Sequence, residues 1–372
     1  MSVIQGPTDA SGKLARPYPA SWVDRLTATV DRHWIPWWLA YLLCALAAYL
    51  VMVLVQALTG GYRPGQYALF HLWVVGNFAY LLALIHALDH SAAGALDAFR
   101  SVLRFEPAEG SAAEDFDDLA YRLTTMAPGP VMVASLLGVL LGTGIPLVLF
   151  RTPSPIISDL PQVAPQFGFS AHPASLLSML LLSSFASAVQ GVFVYHTLHQ
   201  LRWIDRIYRN HAGLNLFRLQ PLYAFSRTTA LTAVGLAVFN YAWYGTAPAL
   251  LEQPASVGLA IFFLVVTVIT FAWPLYGAHR QLLAEKRRLL SEGAERFERV
   301  VGQLHARVDS GDLERMDELT KALTSLEIEQ AALRRIPTWP WEPGTLRNLL
   351  AALLLPLVVW FLQTLLARAL GD

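Results

Sequence analysis

Residues 279–336, HRQLLAEKRRLLSEGAERFERVVGQLHARVDSGDLERMDELTKALTSLEIEQAALRRI, decide how the rest of the chain is read. The stretch is rich in charge, yet Leu283, Leu290, Phe297 and Leu304 recur every seven residues, with Ala294, Val301 and Val308 at the second seam position. Asp309-Ser310-Gly311-Asp312 supplies a turn with a capping residue. A second stripe then runs through Met316, Leu319, Leu323, Leu326 and Leu333. Two amphipathic helices joined by a short polar turn make an antiparallel pair. Apolar runs at 256–278 and 346–368 flank the stretch, and each is near the ~20 residues a bilayer requires. The segment therefore reads as a helical hairpin that leaves the bilayer and leads back into a final span.

Working outward, the 372 residues are 55% hydrophobic and 15% charged, with a mean hydropathy of +0.44. Five further apolar runs, at 36–58, 68–90, 128–150, 174–197 and 228–246, bring the expected spans to seven. Cytoplasmic loops retain Lys and Arg. With the N-terminus inside, inner segments hold 24 of the 27 basic residues, and only Arg63, Arg151 and Arg368 fall outside. The expected fold is an all-α polytopic membrane protein, N-in and C-out. It divides into a cytoplasmic segment (1–35), a six-helix bundle (36–278), a cytoplasmic hairpin (279–340) and a seventh span (341–372). Trp34, Trp37, Trp38, Trp203, Trp273, Trp339 and Trp341 fall at the expected inner interface, where aromatic rings anchor helices.

The first 35 residues contain no apolar core ahead of a small-residue cleavage site, so a cleaved signal peptide is not expected. The single cysteine, Cys44, sits mid-span and is expected to pack inertly. Net charge is zero and no basic patch interleaves with aromatics, which argues against a nucleic-acid partner. Arg outnumbers Lys 24 to 3, a bias that suggests a bacterial chain and hence the bacterial inner membrane.

Smaller signals are local. Glu114, Asp115, Asp117 and Asp118 precede Phe116, Leu119 and Leu123, the pattern of an interfacial helix with acids in its first turn. Ser184 with Ala188 and Ser187 with Gly191 are small-xxx-small pairs that let membrane helices approach closely. Gly142, Gly144 and Pro146 are expected to kink or loosen the outer end of the third span.

Asp, Glu, Lys and Arg are confined to the ends of the expected spans, against a charge-coupled transporter or pump. Two constellations remain. The second span ends His86-Ala-Leu-Asp-His90 and the fourth ends His196-Thr-Leu-His199, both at inner ends. Such boxes resemble the start of the membrane fatty-acid desaturase and hydroxylase pattern, which implies clustered histidines holding iron. A haem between two of them is the other form of that reading, and interfacial histidines bonded to carbonyls are the plainer one. Tyr67, His71, Trp73 and Asn77 of the second span share the outer leaflet with Tyr241, Trp243 and Tyr244 of the fifth. They line either an apolar pocket for a small ligand or an outer aromatic belt.

The layout as a whole resembles the seven-transmembrane ion-channel superfamily that includes insect odorant and gustatory receptors. The shared features are seven spans, short outer loops, a sixth helix running into the cytoplasm and a terminal span reached through cytoplasmic helices. The resemblance implies assembly of four subunits through the cytoplasmic helices and a pore lined by the last span. There Gln363 is the residue carried over, near the end of Val358-Val-Trp-Phe-Leu-Gln363. Val359 and Pro356 share its face, about a turn apart. The leading expectation is thus a non-enzymatic homotetramer in the lipid bilayer. Leu283, Leu290, Phe297, Leu304, Leu319, Leu323 and Leu326 would hold it together, with no cofactor and possible gating by a small apolar ligand. The alternatives are a membrane oxidoreductase using His86, His90, His196 and His199 for iron or haem, and a sensor or scaffold docking a cytoplasmic partner.

Overall fold

Long apolar runs fold here as long helices, one of them continuing through Pro274. In the computed structural model, residues 16–59, 69–103, 116–144, 172–211, 216, 219–246, 254–311, 314, 316–342, 344–354 and 358 are described. All regular elements among them are helical. They are α1 (Trp22–Asp31), α2 (Trp37–Leu58), α3 (Leu69–Phe99), α4 (Phe116–Thr124), α5 (Pro128–Val139), α6 (Pro173–His211), α7 (Ala224–Thr246), α8 (Pro254–Ser310), α9 (Met316–Arg335) and α10 (Gly344–Leu354).

Six helices, built on α2, α3, α5, α6, α7 and α8, are long and apolar enough to cross a membrane. Of the seventh expected span, α10 is described. Val358 is also described, and Pro356, Val359 and Gln363 lie outside the described residues. The helices overshoot the expected spans. With 39 residues in α6 and 57 in α8, they extend about 58 and 85 Å at 1.5 Å per residue, against a hydrocarbon core of about 30 Å.

Helix α3 is the hub. Two thirds of its apolar window (67%) is buried, against 11% for α2 and 17% for α8. It packs on α2, α6 and α7, while α5 packs on α6 and α8 on α7. The outward faces of α2 and α8 present Leu42, Leu46, Leu50, Leu54, Ile261, Phe262 and Val265. Water contact would cost such faces roughly 25 cal/mol per Å², so they call for lipid. Cys44 lies on that exposed face of α2, not inside the packing as the sequence reading expected.

Close approach explains several small residues. A side chain at Gly138 of α5 would overlap the Ser187 carbonyl of α6, and one at Gly191 would overlap the Ala134 carbonyl. The Ser187/Gly191 pair therefore lets α5 and α6 touch backbone to backbone. Where the sequence loosens at Gly142 and Gly144, α5 passes into a π-helical turn, Leu140–Gly144, and Thr143 and Ser187 hydroxyls meet at 3.0 Å. The expected interfacial helix forms as α4, with Asp117 and Asp118 in its first turn and Leu119 and Leu123 buried. Glu114 and Asp115 lie outside the described residues.

Helices α8 and α9 contact each other in reversed order. Lys286 Nζ donates to the Arg334 and Ile336 carbonyls at 2.8 and 2.7 Å, Arg296 faces Glu329 at 3.9 Å, and Arg307 donates to the Glu314 carbonyl. The chain then returns along α8: Trp341 stacks on Phe271 and Trp339, and Trp339 stacks on His279. The seam residues Leu283, Leu290, Phe297, Leu304, Leu319, Leu323 and Leu326 are half-buried.

Candidate metal centre at the histidine-bearing end of the bundle

Three helices converge where α3 carries His86 and His90. Four residues apart, these two side chains share one face of α3, and their rings stack with centroids 4.7 Å apart. The first turns of α2 supply Trp37, stacked on His86 at 5.2 Å, and Tyr41, whose hydroxyl lies 3.1 Å from His86 Nδ1. The third helix is α1, inside the segment expected to be only a polar tail. Ser21 caps its start, with Ser21 Oγ accepting from Asp24 N and Asp24 Oδ2 accepting from Ser21 N, a reciprocal capping box. Asp24 Oδ2 also accepts from Met126 N at 3.0 Å, which ties α1 to the start of α5.

Held in this way, the last residue of α1 is brought to α3. Asp31 Oδ1 lies 3.0 Å from His86 Nε2 and 3.8 Å from His90 Nε2. A carboxylate at a helix C-terminus opposes the helix dipole, and no basic residue in the last turn of α1 offsets it. Local rules broken in this way are commonest at functional sites. The three donor atoms lie within 4.8 Å of one another. Ligands about 2.0–2.2 Å from an ion sit about 3–3.6 Å apart, so small side-chain adjustments would close the set. One of the two imidazoles already has the tautomer a ligand needs. His90 Nδ1–H donates to the His86 carbonyl at 3.1 Å, leaving its Nε2 lone pair free. His86 Nε2 donates to Asp31 Oδ1, and an ion bound there would shift that hydrogen to Nδ1, where the Tyr41 oxygen can accept it. Orienting bonds of this kind are what metal-bound imidazoles need.

The other two histidines are engaged separately. His196 Nε2 bonds Asp89 Oδ1 at 2.8 Å, and its buried Nδ1 has no partner among the described residues. Gln200 Nε2 also donates to Asp89 Oδ1, at 3.4 Å. His199 Nε2 donates to the Arg122 carbonyl at 2.7 Å. The structure thus brings His86 and His90 to Asp31, and places His196 and His199 with different partners. The sequence carries no local signal for Asp31 or Tyr41 as site residues, marks Trp37 only as an interface anchor, and shows Asp89 only as the spacer in His86-Ala-Leu-Asp-His90.

A groove of about 1010 Å³ opens beside this cluster, between α3, α7 and α10. His90 stands in its wall, with Arg227, Leu231, Glu342 and Asn348 among the other lining residues.

At the other end of the bundle, an apolar cleft of about 250 Å³ lies between α3 and α7, lined by Trp73, Asn77, Tyr80 and Phe239 among others. Trp243 packs on Trp73 at 5.3 Å. The remaining residues expected there are occupied differently. Tyr241 OH donates to the Leu353 carbonyl and Tyr244 OH to the Ser256 carbonyl, His71 is fully buried, and Tyr67 lies outside the described residues.

Compared with protein-family models, with curated proteins and with solved structures, the chain matches none.

Proposed function

We propose that the chain is a multi-pass membrane protein that binds a divalent transition-metal ion through Asp31, His86 and His90, at the cytoplasmic rim of the bundle. The observation that carries this reading is the convergence of one carboxylate and two imidazoles from two different helices, with His90 Nε2 left as a free lone pair by its Nδ1 hydrogen bond. Two histidines and one carboxylate leave coordination positions open, the arrangement of reactive rather than purely structural sites. With His90 in the groove wall, an ion there would meet a molecule held in the groove and polarise one of its oxygens. His86 and His90 stack side by side on one helix face. That disposition suits one small ion better than a haem held between them. The excess of Lys and Arg in the segments on this side of the spans supports an N-in, C-out orientation, in a bacterial inner membrane.

Elemental analysis of protein purified without chelator, followed by titration with Zn²⁺, Mn²⁺ and Fe²⁺, tests the reading. Near-stoichiometric metal is expected in the wild type. Loss is expected in His86→Ala and His90→Ala, and retention in His199→Ala. Metal-free protein that takes up none of the three ions would sink it.

A second reading concerns assembly. Ile328 and Val308 are large apolar side chains 65% and 51% exposed within the charge-rich stretch 279–336, which favours a further helix docking against α8 and α9 there. A homotetramer assembled there, with a channel lined by the seventh span, would use that surface. The mass of the detergent-solubilised particle decides it: a monomer unchanged by Ile328→Glu and Val308→Glu removes this reading.

A further inference from the structure

We propose that the groove beside His90 holds a phospholipid whose headgroup carries both a phosphate and a primary ammonium. Arg227, in the first turn of α7, and Glu342, just ahead of α10, line the same groove. Both are exposed, and neither side chain forms a hydrogen bond or ion pair among the described residues. One cation and one carboxylate, left unpaired on the walls of one groove, complement a ligand that carries both charges. Arg227 matches a phosphate, for which the guanidinium fork is well suited. Glu342 matches an ammonium that can donate hydrogen bonds, and it would repel a purely anionic headgroup. Asn348, also in the wall, adds a neutral donor and acceptor.

The rest of the wall is apolar. Leu231, Val234 and Leu349 continue the groove along the faces of α7 and α10, and α10 exposes Leu350 and Leu354 on the outer surface that calls for lipid. About 1010 Å³ is at the upper end of small-molecule sites, roughly 300–1,000 Å³, enough for a headgroup and the first part of its chains. Arg227 near a helix end has a ready alternative, snorkelling to any phosphate at the interface. That alternative predicts no use for Glu342 and no preference among phospholipids. The inference goes beyond the metal reading and does not rest on it, because Asp31 is not among the groove's lining residues.

The test is lipid competition on the full-length protein in nanodiscs or mixed micelles. They contain equal amounts of phosphatidylethanolamine, phosphatidylcholine and phosphatidylglycerol, and retained lipid is read by native mass spectrometry. The expected result is roughly tenfold preference for phosphatidylethanolamine over the other two, about 1.4 kcal/mol by the usual conversion. Arg227→Gln is expected to lose retention of both phosphatidylethanolamine and phosphatidylglycerol. Glu342→Gln is expected to abolish discrimination between those two. His199→Ala, a change outside the groove lining, is expected to keep the wild-type preference. Equal retention of the three lipids by the wild type overturns the proposal. So does an unchanged preference in both groove variants, or displacement of the lipid by an equal concentration of soluble phosphoethanolamine. The wild-type competition stands even if a variant fails to fold.

Discussion

The Asp31 carboxylate at the end of α1 lies 3.0 Å from His86 Nε2 in the middle of α3, across 55 residues of chain. This one contact turns a polar N-terminal segment into part of the site. It joins a half-exposed carboxylate to an imidazole that is almost wholly buried.

Replacing Asp31 with Asn keeps the shape and removes the anion. Bound metal should fall below stoichiometry by elemental analysis. Loss of one half-exposed hydrogen bond should cost only about 0.5–1.5 kcal/mol of stability. A variant that loses metal and melts near the wild-type temperature separates a ligand from a structural residue.

Tyr41→Phe removes the hydroxyl that lies 3.1 Å from His86 Nδ1 and leaves the ring beside His86 in place. Orienting partners of metal-bound histidines are typically worth about 10–100-fold in affinity. Competition against a chelator should show a weakening of that order. Wild-type affinity in Tyr41→Phe would mean that the hydroxyl does not orient a ligand.

Metal retention should also depend on pH in a defined direction. Imidazoles bind a metal only in their neutral form, so protons compete with the ion for His86 and His90 and binding weakens as the solution is acidified. Dialysis against buffers from pH 8 to pH 5, with metal measured at each step, should show release on the acid side only.

The docking of the N-terminal segment should have an alkaline limit. Tyr18 OH donates to the Thr125 carbonyl at 2.9 Å, and burial pushes its hydroxyl pKa up to about 12 from 10.0. The folded state thus holds the Tyr18 proton more tightly than the unfolded state. The resulting stability is complete below pH 10 and is lost as the pH rises from 10 towards 12. Limited proteolysis near residues 16–20 should accelerate across that window in the wild type, and Tyr18→Phe should shift or flatten the change.

At the contact of α5 with α6, Gly191→Ala should destabilise by about 1–3 kcal/mol, because the added methyl has no room and backbone must move. Gly258→Ala on α8 is the control, since a Cβ there meets nothing within 4 Å. Thermal melting in detergent compares the two. Equal melting temperatures would mean that α5 and α6 can separate at little cost.

The sequence by itself determined whatever depends on one segment at a time. Burial of an apolar run in lipid is a local gain, so six bilayer-length helices were legible. The small residues at Ser187 and Gly191, the loosening at Gly142 and Gly144 and the interfacial helix with Leu119 and Leu123 could be read for the same reason. Spacing also placed His86 and His90 on one face, because four residues make about one turn. The tertiary structure decided which distant groups meet. Asp31 and Tyr41 precede His86 by 55 and 45 residues, and nothing in their local pattern names a partner. A capping box at Ser21 and Asp24 could have revealed α1, though not its direction. The division of the four histidines was equally hidden: Asp89 faces away from Asp31's pair towards His196 because successive helical residues point around the axis, and only the packing of α6 on α3 fixes what stands there. The groove shared by Arg227 and Glu342 exists only because the chain, after leaving α9, folds back along α8 and brings α10 to α3 and α7.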